Sequence, residues 1–120
     1  MRVFKNRWFC RFAETESISD SELKAVIQQI DSGQSVSDLG GGVYKVRIAR
    51  PGAGKSGGYR IIVFFKSGFR SFFVYGFAKS DRDNINQKQL QDFKTVAKTT
   101  FAYTDKQLDE LVKTNWFCEI

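Results

Sequence analysis

Residues 40–82 constrain the fold most, because they spell out three consecutive β-strands and the turns between them. Three glycines lead into Val43-Tyr44-Lys45-Val46-Arg47-Ile48, where Tyr44, Val46 and Ile48 take one parity and Lys45 and Arg47 the other. Side chains alternate across a strand, so this segment predicts a strand with one buried and one wet face. After a glycine-rich loop over 50–58, residues 59–66 and 69–79 are apolar almost throughout, which predicts interior strands covered on both faces. Ser67-Gly68 between them is a hairpin signal, and the loop before Tyr59 is of a kind that joins antiparallel neighbours.

The flanks change to helical spacing. Residues 2–5 predict a short strand, and residues 7–13 one or two helical turns with Trp8, Phe9 and Phe12 inward. Ser19 with Glu22 has the spacing of a capping box, in which each side chain satisfies a backbone N–H at the helix start. Leu23, Val26, Ile27 and Ile30 then mark a buried stripe, and Gly33 suits the left-handed residue that closes the last turn. Beyond Arg82, Ile85, Leu90, Phe93, Ala97 and Phe101 predict a helix. Thr104 with Gln107 opens another, carrying Leu108, Leu111 and Val112. Residues 115–120 are too apolar to float free and are expected to dock as an edge strand.

Charge is spread unevenly over the 120 residues, whose formal net charge is +6. Residues 42–82 hold nine cations (Lys45, Arg47, Arg50, Lys55, Arg60, Lys66, Arg70, Lys79, Arg82) against one acid, Asp81; each flanking stretch holds five cations and six carboxylates. Like charges repel, so an excess kept together on a β-rich element points to a polyanionic partner, either nucleic acid or an acidic protein. The length predicts a single domain over 1–120, and twelve phenylalanines suffice for a core. No apolar run approaches the roughly 20 residues of a membrane helix and the first residues lack a signal segment, so the cytoplasm is the expected address and no membrane partner is expected. Cys10 and Cys118 then read as two reduced core thiols. Histidine is absent, which removes Ser-His-Asp and Cys-His chemistry, two-histidine ribonuclease chemistry and imidazole zinc sites. Catalysis would fall to Lys, Arg, Tyr or carboxylates, with neither metal nor cofactor.

Residues 49–56 fit a permissive phosphate-loop pattern, with Ala49 where the first glycine belongs. Such a loop must open a helix, whereas Ser56 precedes Gly-Gly and a run of β-formers, so nucleotide hydrolysis is disfavoured. A basic hairpin loop whose Lys55 and amides touch backbone phosphates is preferred, with Arg50 and Arg60 close by in sequence. Tyr44, Tyr59 and Tyr75 read first as core or rim aromatics. Tyr75 shares the parity of Lys79, so on an open face it would stack on a base or share in proton transfer.

The string LGGGVYKVRIARPGAGKSGGYR from Leu39 to Arg60, followed by a hydrophobic hairpin ending YGFAKSDRDNI from Tyr75 to Ile85, resembles the RelE/ParE superfamily of bacterial type II toxins. Within it the chain is similar to the HigB-like RelE branch over roughly residues 2–100, and Glu119-Ile120 after a short helix fits that branch. The resemblance implies an α+β fold: a small, mainly antiparallel sheet with N-terminal helices on one face, followed by C-terminal helices. It implies a ribosome-dependent messenger RNA endonuclease, restrained by an antitoxin encoded beside it. The 2′-hydroxyl attacks the adjacent phosphate and leaves a cyclic phosphate.

By position, the family's paired basic residues fall on Lys45 and Arg47, the arginine of its GYR motif on Arg60, and the basic residue ending its last strand on Lys79. Ser80 stands where relatives often have a further arginine, and Asn86 where they have a C-terminal tyrosine. Catalytic duties are then expected of Arg60, Lys79, Lys45 and Arg82, and RNA contacts of Arg47, Lys55, Tyr75 and Arg50. Arg60 would stabilise the phosphorane, and Lys79 is preferred over Arg82 as proton donor because arginine is a poor acid at neutral pH. A ParE-like gyrase inhibitor and a non-catalytic binder of nucleic acid or acidic protein are the alternatives.

Overall fold

The computed structural model describes residues 1–49, 58–82 and 84–120. In chain order its elements are β1 (Arg2–Asn6), α1 (Arg7–Thr15), α2 (Asp20–Ser32), β2 (Val36–Asp38), β3 (Val43–Ile48), β4 (Tyr59–Lys66), β5 (Arg70–Ala78), α3 (Gln87–Phe101), α4 (Asp105–Lys113) and β6 (Phe117–Glu119). The six strands form one sheet in the order β2-β3-β4-β5-β1-β6, antiparallel everywhere except where β1 runs parallel to β5. This is the expected α+β arrangement.

β4 and β5 lie inside the sheet and are covered on both sides, as their unbroken apolar runs require. On one face Val46, Ile61, Val63 and Phe73 pack with Phe9 of α1 and Leu23, Val26 and Ile30 of α2. On the other, Val43, Ile62, Phe64 and Phe72 pack with Phe93, Ala97 and Phe101 of α3 and Leu108 of α4. Phe93 and Phe101 are partly buried, whereas each valine, leucine, isoleucine or phenylalanine fully withdrawn from water contributes about 1.5–3 kcal/mol.

Helix ends follow the sequence signals, with one correction. Gly33 closes α2 at φ 73°, and Thr104 and Gln107 form the reciprocal box at the start of α4. At α2 only half of the box forms: Ser19 accepts from the Glu22 N–H, while the Glu22 carboxylate takes the Ser19 hydroxyl instead of a backbone donor. A reciprocal box does form at α3, between Asn86 and Gln89.

Two other expectations are overturned. Trp8 is turned outward, because α1 buries Phe9 and Ala13 and leaves position 8 on its outer side. Cys10 and Cys118 are joined as a disulfide, not kept as separate thiols. The cause is the docking of β6 antiparallel to β1, which pairs Cys118 with Lys5 and brings it alongside the first turn of α1.

The C-terminal helix and strand are tied to β1 by charge. Arg2 bridges Asp105 (3.1 Å), Asp109 (2.7 Å) and Glu119 (2.9 Å), while Arg70, only 5% exposed, donates to Asp105 (2.9 Å) and to the Tyr103 carbonyl. Hydrogen bonds from Arg2, and secondarily from Arg70, hold the Asp105 carboxyl below the usual aspartate range. A carboxyl more acidic in the folded than in the unfolded chain stabilises fully above its unfolded value of about 4, and that contribution is lost as pH falls toward the folded value. Thermal melts followed by circular dichroism should therefore show a steeper loss of stability on acidification below about pH 4 in the native protein than in Asp105→Asn. Parallel pH profiles would contradict this assignment.

Candidate functional site

Strand register decides which side chains share a face. Lys45 lies opposite Ile62 and Arg47 opposite Arg60, while Arg60 lies opposite Phe77 and Ile62 opposite Tyr75. Directly opposed residues point the same way, so Lys45, Arg47, Arg60, Tyr75 and Phe77 stand on one face, the one that also carries α3 and α4. The helices cover only part of it. Along β3 on this parity, Val43 is buried, Lys45 half-buried and Arg47 exposed. The apolar layer under α3 stops at Ile62 and Tyr75, one step short of Arg60 and Phe77. The cationic positions occupy the end of the sheet that the helices leave open.

The segment leaving β5 forms the rim of this open end. Arg82 crosses back so that its guanidinium lies 5.3 Å from the Phe77 ring centroid. It donates to the Asn84 carbonyl (3.0 Å), the Tyr75 hydroxyl (3.3 Å) and Gln89 Oε1 (2.6 Å). Lys45 Nζ donates to Asn84 Oδ1 at 3.3 Å and borders a cleft of about 370 Å3 between β3 and the start of α3. Lys79 follows the last residue of β5, and its N–H bonds the Gly58 carbonyl, extending the ladder beside Arg60. Tyr75 is half-buried among Trp8, Phe77 and Phe93, so its ring already serves packing.

Arg60 is the exception to full satisfaction. Its Nη1 is buried and has no hydrogen-bond partner among the described residues. Burying an unpaired donor costs on the order of 1–3 kcal/mol, and more when it is charged, so native proteins rarely keep one without a use. Among the described residues no carboxylate forms an ion pair with Lys45, Arg47, Arg60, Lys79 or Arg82; the ion-paired cations are Arg2, Lys5, Arg70 and Lys88.

Of the residues singled out in the sequence, Lys45, Arg47, Arg60, Tyr75 and Arg82 come together here, with Lys79 at the strand end beside them. Arg50, Lys55 and the phosphate-loop-like string from Arg50 onward lie outside the described residues. Asn84 and Gln89, which accept hydrogen bonds from Lys45 and Arg82, are residues of this candidate site that sequence reasoning missed. For Gln89 a signal existed, since its spacing from Asn86 is that of a capping box. Asn86 is engaged in capping α3. Among the described residues no group of three or more His, Cys, Asp or Glu is placed to hold a metal ion. No described helix is long and apolar enough to cross a membrane.

Fold and site together define a small α+β protein that keeps one end of its sheet cationic. Over residues 1–120 the chain matches the family described as RelE toxin of the RelE / RelB toxin-antitoxin system, and it belongs to that family. It is thus a toxin of the toxin–antitoxin kind, and its family implies an antitoxin partner.

Two stability measurements test this geometry. Arg60→Met keeps the stem and removes the unpaired guanidinium, so its melting temperature should equal or exceed that of the native protein; a clear drop would show that the guanidinium is satisfied in solution. At Gly58 an added Cβ would sit 2.4 Å from the Ile48 carbonyl oxygen, where backbone has to give way. Gly58→Ala should therefore destabilise by about 1–3 kcal/mol in denaturant titration, and an unchanged midpoint would contradict the tight approach of β3 and β4.

Proposed function

We propose that this toxin, a single-domain member of the HigB-like branch, is an endoribonuclease that cuts messenger RNA on the ribosome and so arrests translation and growth in the cytoplasm. The observation that carries this reading is the buried Nη1 of Arg60, without a partner among the described residues, on the same face as Lys45 and Arg47, with Arg82 reaching that face at Tyr75. A guanidinium without a carboxylate suits an oxygen that becomes more negative during reaction.

In the reaction the 2′-oxygen bonds to the neighbouring phosphorus and the bond from phosphorus to the 5′-oxygen breaks, leaving a cyclic phosphate. Negative charge rises on the non-bridging oxygens of the phosphorane, and Arg60 stabilises it. Lys45 and Arg47 hold the strand by its phosphates, with Arg50 and Lys55 of the glycine loop assigned to the same task. Arg82 orients the phosphate, Lys79 gives its proton to the departing 5′-oxygen, and the 2′-hydroxyl proton leaves to water. With no histidine in the chain, catalysis depends mainly on positioning and charge, both of which the ribosome can reinforce by presenting a strained, single-stranded message. The antitoxin is expected to oppose this by covering the cationic end or by keeping the toxin from the ribosome.

Expression in bacteria, with mapping of message 5′ ends on translating ribosomes, tests the proposal. The native chain should give codon-phased cuts, and Arg60→Ala should reduce their rate by on the order of 10²–10³ while melting cooperatively. Growth arrest with intact messages and broken DNA would replace this reading with gyrase inhibition.

A further inference from the structure

Next to the cationic sheet end lies an aromatic surface that cleavage itself does not employ. β1 pairs with β5 only as far as Lys5 and Phe73, so beyond Val74 the edge of β5 has no strand beside it, and the start of α1 takes that place. The consequence is that Trp8 is carried to the edge of the site, 4.8 Å from the Tyr75 ring and 5.1 Å from that of Phe12. These contacts fix the indole, yet Trp8 remains 45% exposed. Trp8 lines a cleft of about 350 Å3 that Trp116 lines too; Trp116 is 55% exposed, with the Arg7 guanidinium 5.2 Å from its ring centroid. Tyr103, Leu111 and Phe117 line the cleft too, and its described lining holds one cation and no carboxylate.

We propose that this cleft receives an unpaired base of an RNA strand, with the indoles of Trp8 and Trp116 as its stacking walls. The inference rests on the reading that the adjoining cations hold RNA backbone. Three features favour a base over an apolar side chain of a protein partner. The cleft is continuous with the cation cluster through Trp8, Tyr75 and Arg82, so a strand gripped there has its next bases within reach of the indoles. Arg7 supplies a charge suited to the strand's phosphates, with no carboxylate in the described lining to cancel it. Although Trp8 packs on Phe12 and Tyr75 and Arg7 lies over Trp116, the indoles keep 45% and 55% of their surface exposed, and stacking on that exposed ring surface would accept any base without reading its edge, which suits a protein that must act on many messages. Trp8 and Trp116 are thereby binding residues that act outside the reacting phosphate.

The test compares two probes of equal length and charge on the full chain: a labelled 2′-O-methyl oligoribonucleotide, which cannot be cut through its blocked 2′-oxygens, and its abasic counterpart. At fixed salt, fluorescence anisotropy should show the native protein binding the base-bearing strand roughly 5- to 100-fold more tightly, the range that stacking of a single base on an aromatic ring gives. Trp116→Ala and Trp8→Ala should abolish that preference while leaving abasic binding unchanged, and Trp8→Phe should retain most of it. Trp116 lies outside both core clusters, so its variant reports on the cleft even if Trp8→Ala folds poorly. Equal native affinity for both probes overturns the proposal. So does an equal loss for both probes in Trp116→Ala, and so does weakened antitoxin capture by that variant with the base preference intact. Failure of the nuclease reading looks different: messages stay uncut while the preference for bases persists. Arg60-dependent cleavage without any such preference sinks the cleft alone.

Discussion

Burial of β4 and β5 on both faces is the constraint from which the rest of the structure follows. Ile61, Ile62, Val63, Phe64, Phe72 and Phe73 are all withdrawn from water, so helices must cover the sheet above and below along their length. A charged side chain in that interior would have to be paired or neutralised, because an isolated ion in a low-dielectric core is prohibitively costly. Cations on these strands are therefore confined to the ends. Arg70, at the start of β5, is neutralised by Asp105, while Arg60, at the start of β4 and the opposite end of the pair, has no such partner among the described residues. The same two-layered core that stabilises the fold thus determines where an unpaired arginine can survive.

Much of the framework is legible in the chain because local periodicity and two-sided burial agree there. Alternation in residues 43–48, the continuous apolar runs of β4 and β5, the Thr104 cap and the terminal edge strand all appear where their patterns place them. Apart from the half-formed box at Ser19, the failures have a common origin in long-range pairing. β2 is three residues long and exists because Val36–Asp38 pairs with β3, which no local signal announces. The parallel insertion of β1 between β5 and β6 is a contact across most of the chain, and it accounts for both the cysteine pairing and the outward Trp8.

The site divides in the same manner. Period-2 parity places Lys45 and Arg47 together, and an antiparallel register brings Arg60 opposite Arg47. What parity leaves open is which cations are already spent on structure. Arg70 has the same formal charge as Arg60 and lies in the same basic stretch, yet it is buried against Asp105 and Tyr103. Nothing in its neighbours Phe69 and Ser71 distinguishes it, since its acceptors come from a turn and helix more than thirty residues away.

The contrast between Arg2 and Arg82 shows how the molecule separates holding a charge from cancelling it. The Arg2 guanidinium makes four hydrogen bonds to three residues and that of Arg82 makes three. Those of Arg2 go to Asp105, Asp109 and Glu119, whose carboxylates outweigh its charge and hold it well above the ordinary arginine range, so the cluster has little field left to offer a distant anion. Those of Arg82 go to a carbonyl, a phenol and an amide, and Lys45 likewise rests on the amide of Asn84. Neutral acceptors fix the position of a cation and restrict its rotamers without neutralising it, so the entropic cost of ordering is met during folding and the charge remains available. A phosphate bound at this end of the sheet, as proposed, would meet cations already in place, and preorganisation of that kind is what an electrostatic site lacking a histidine would require.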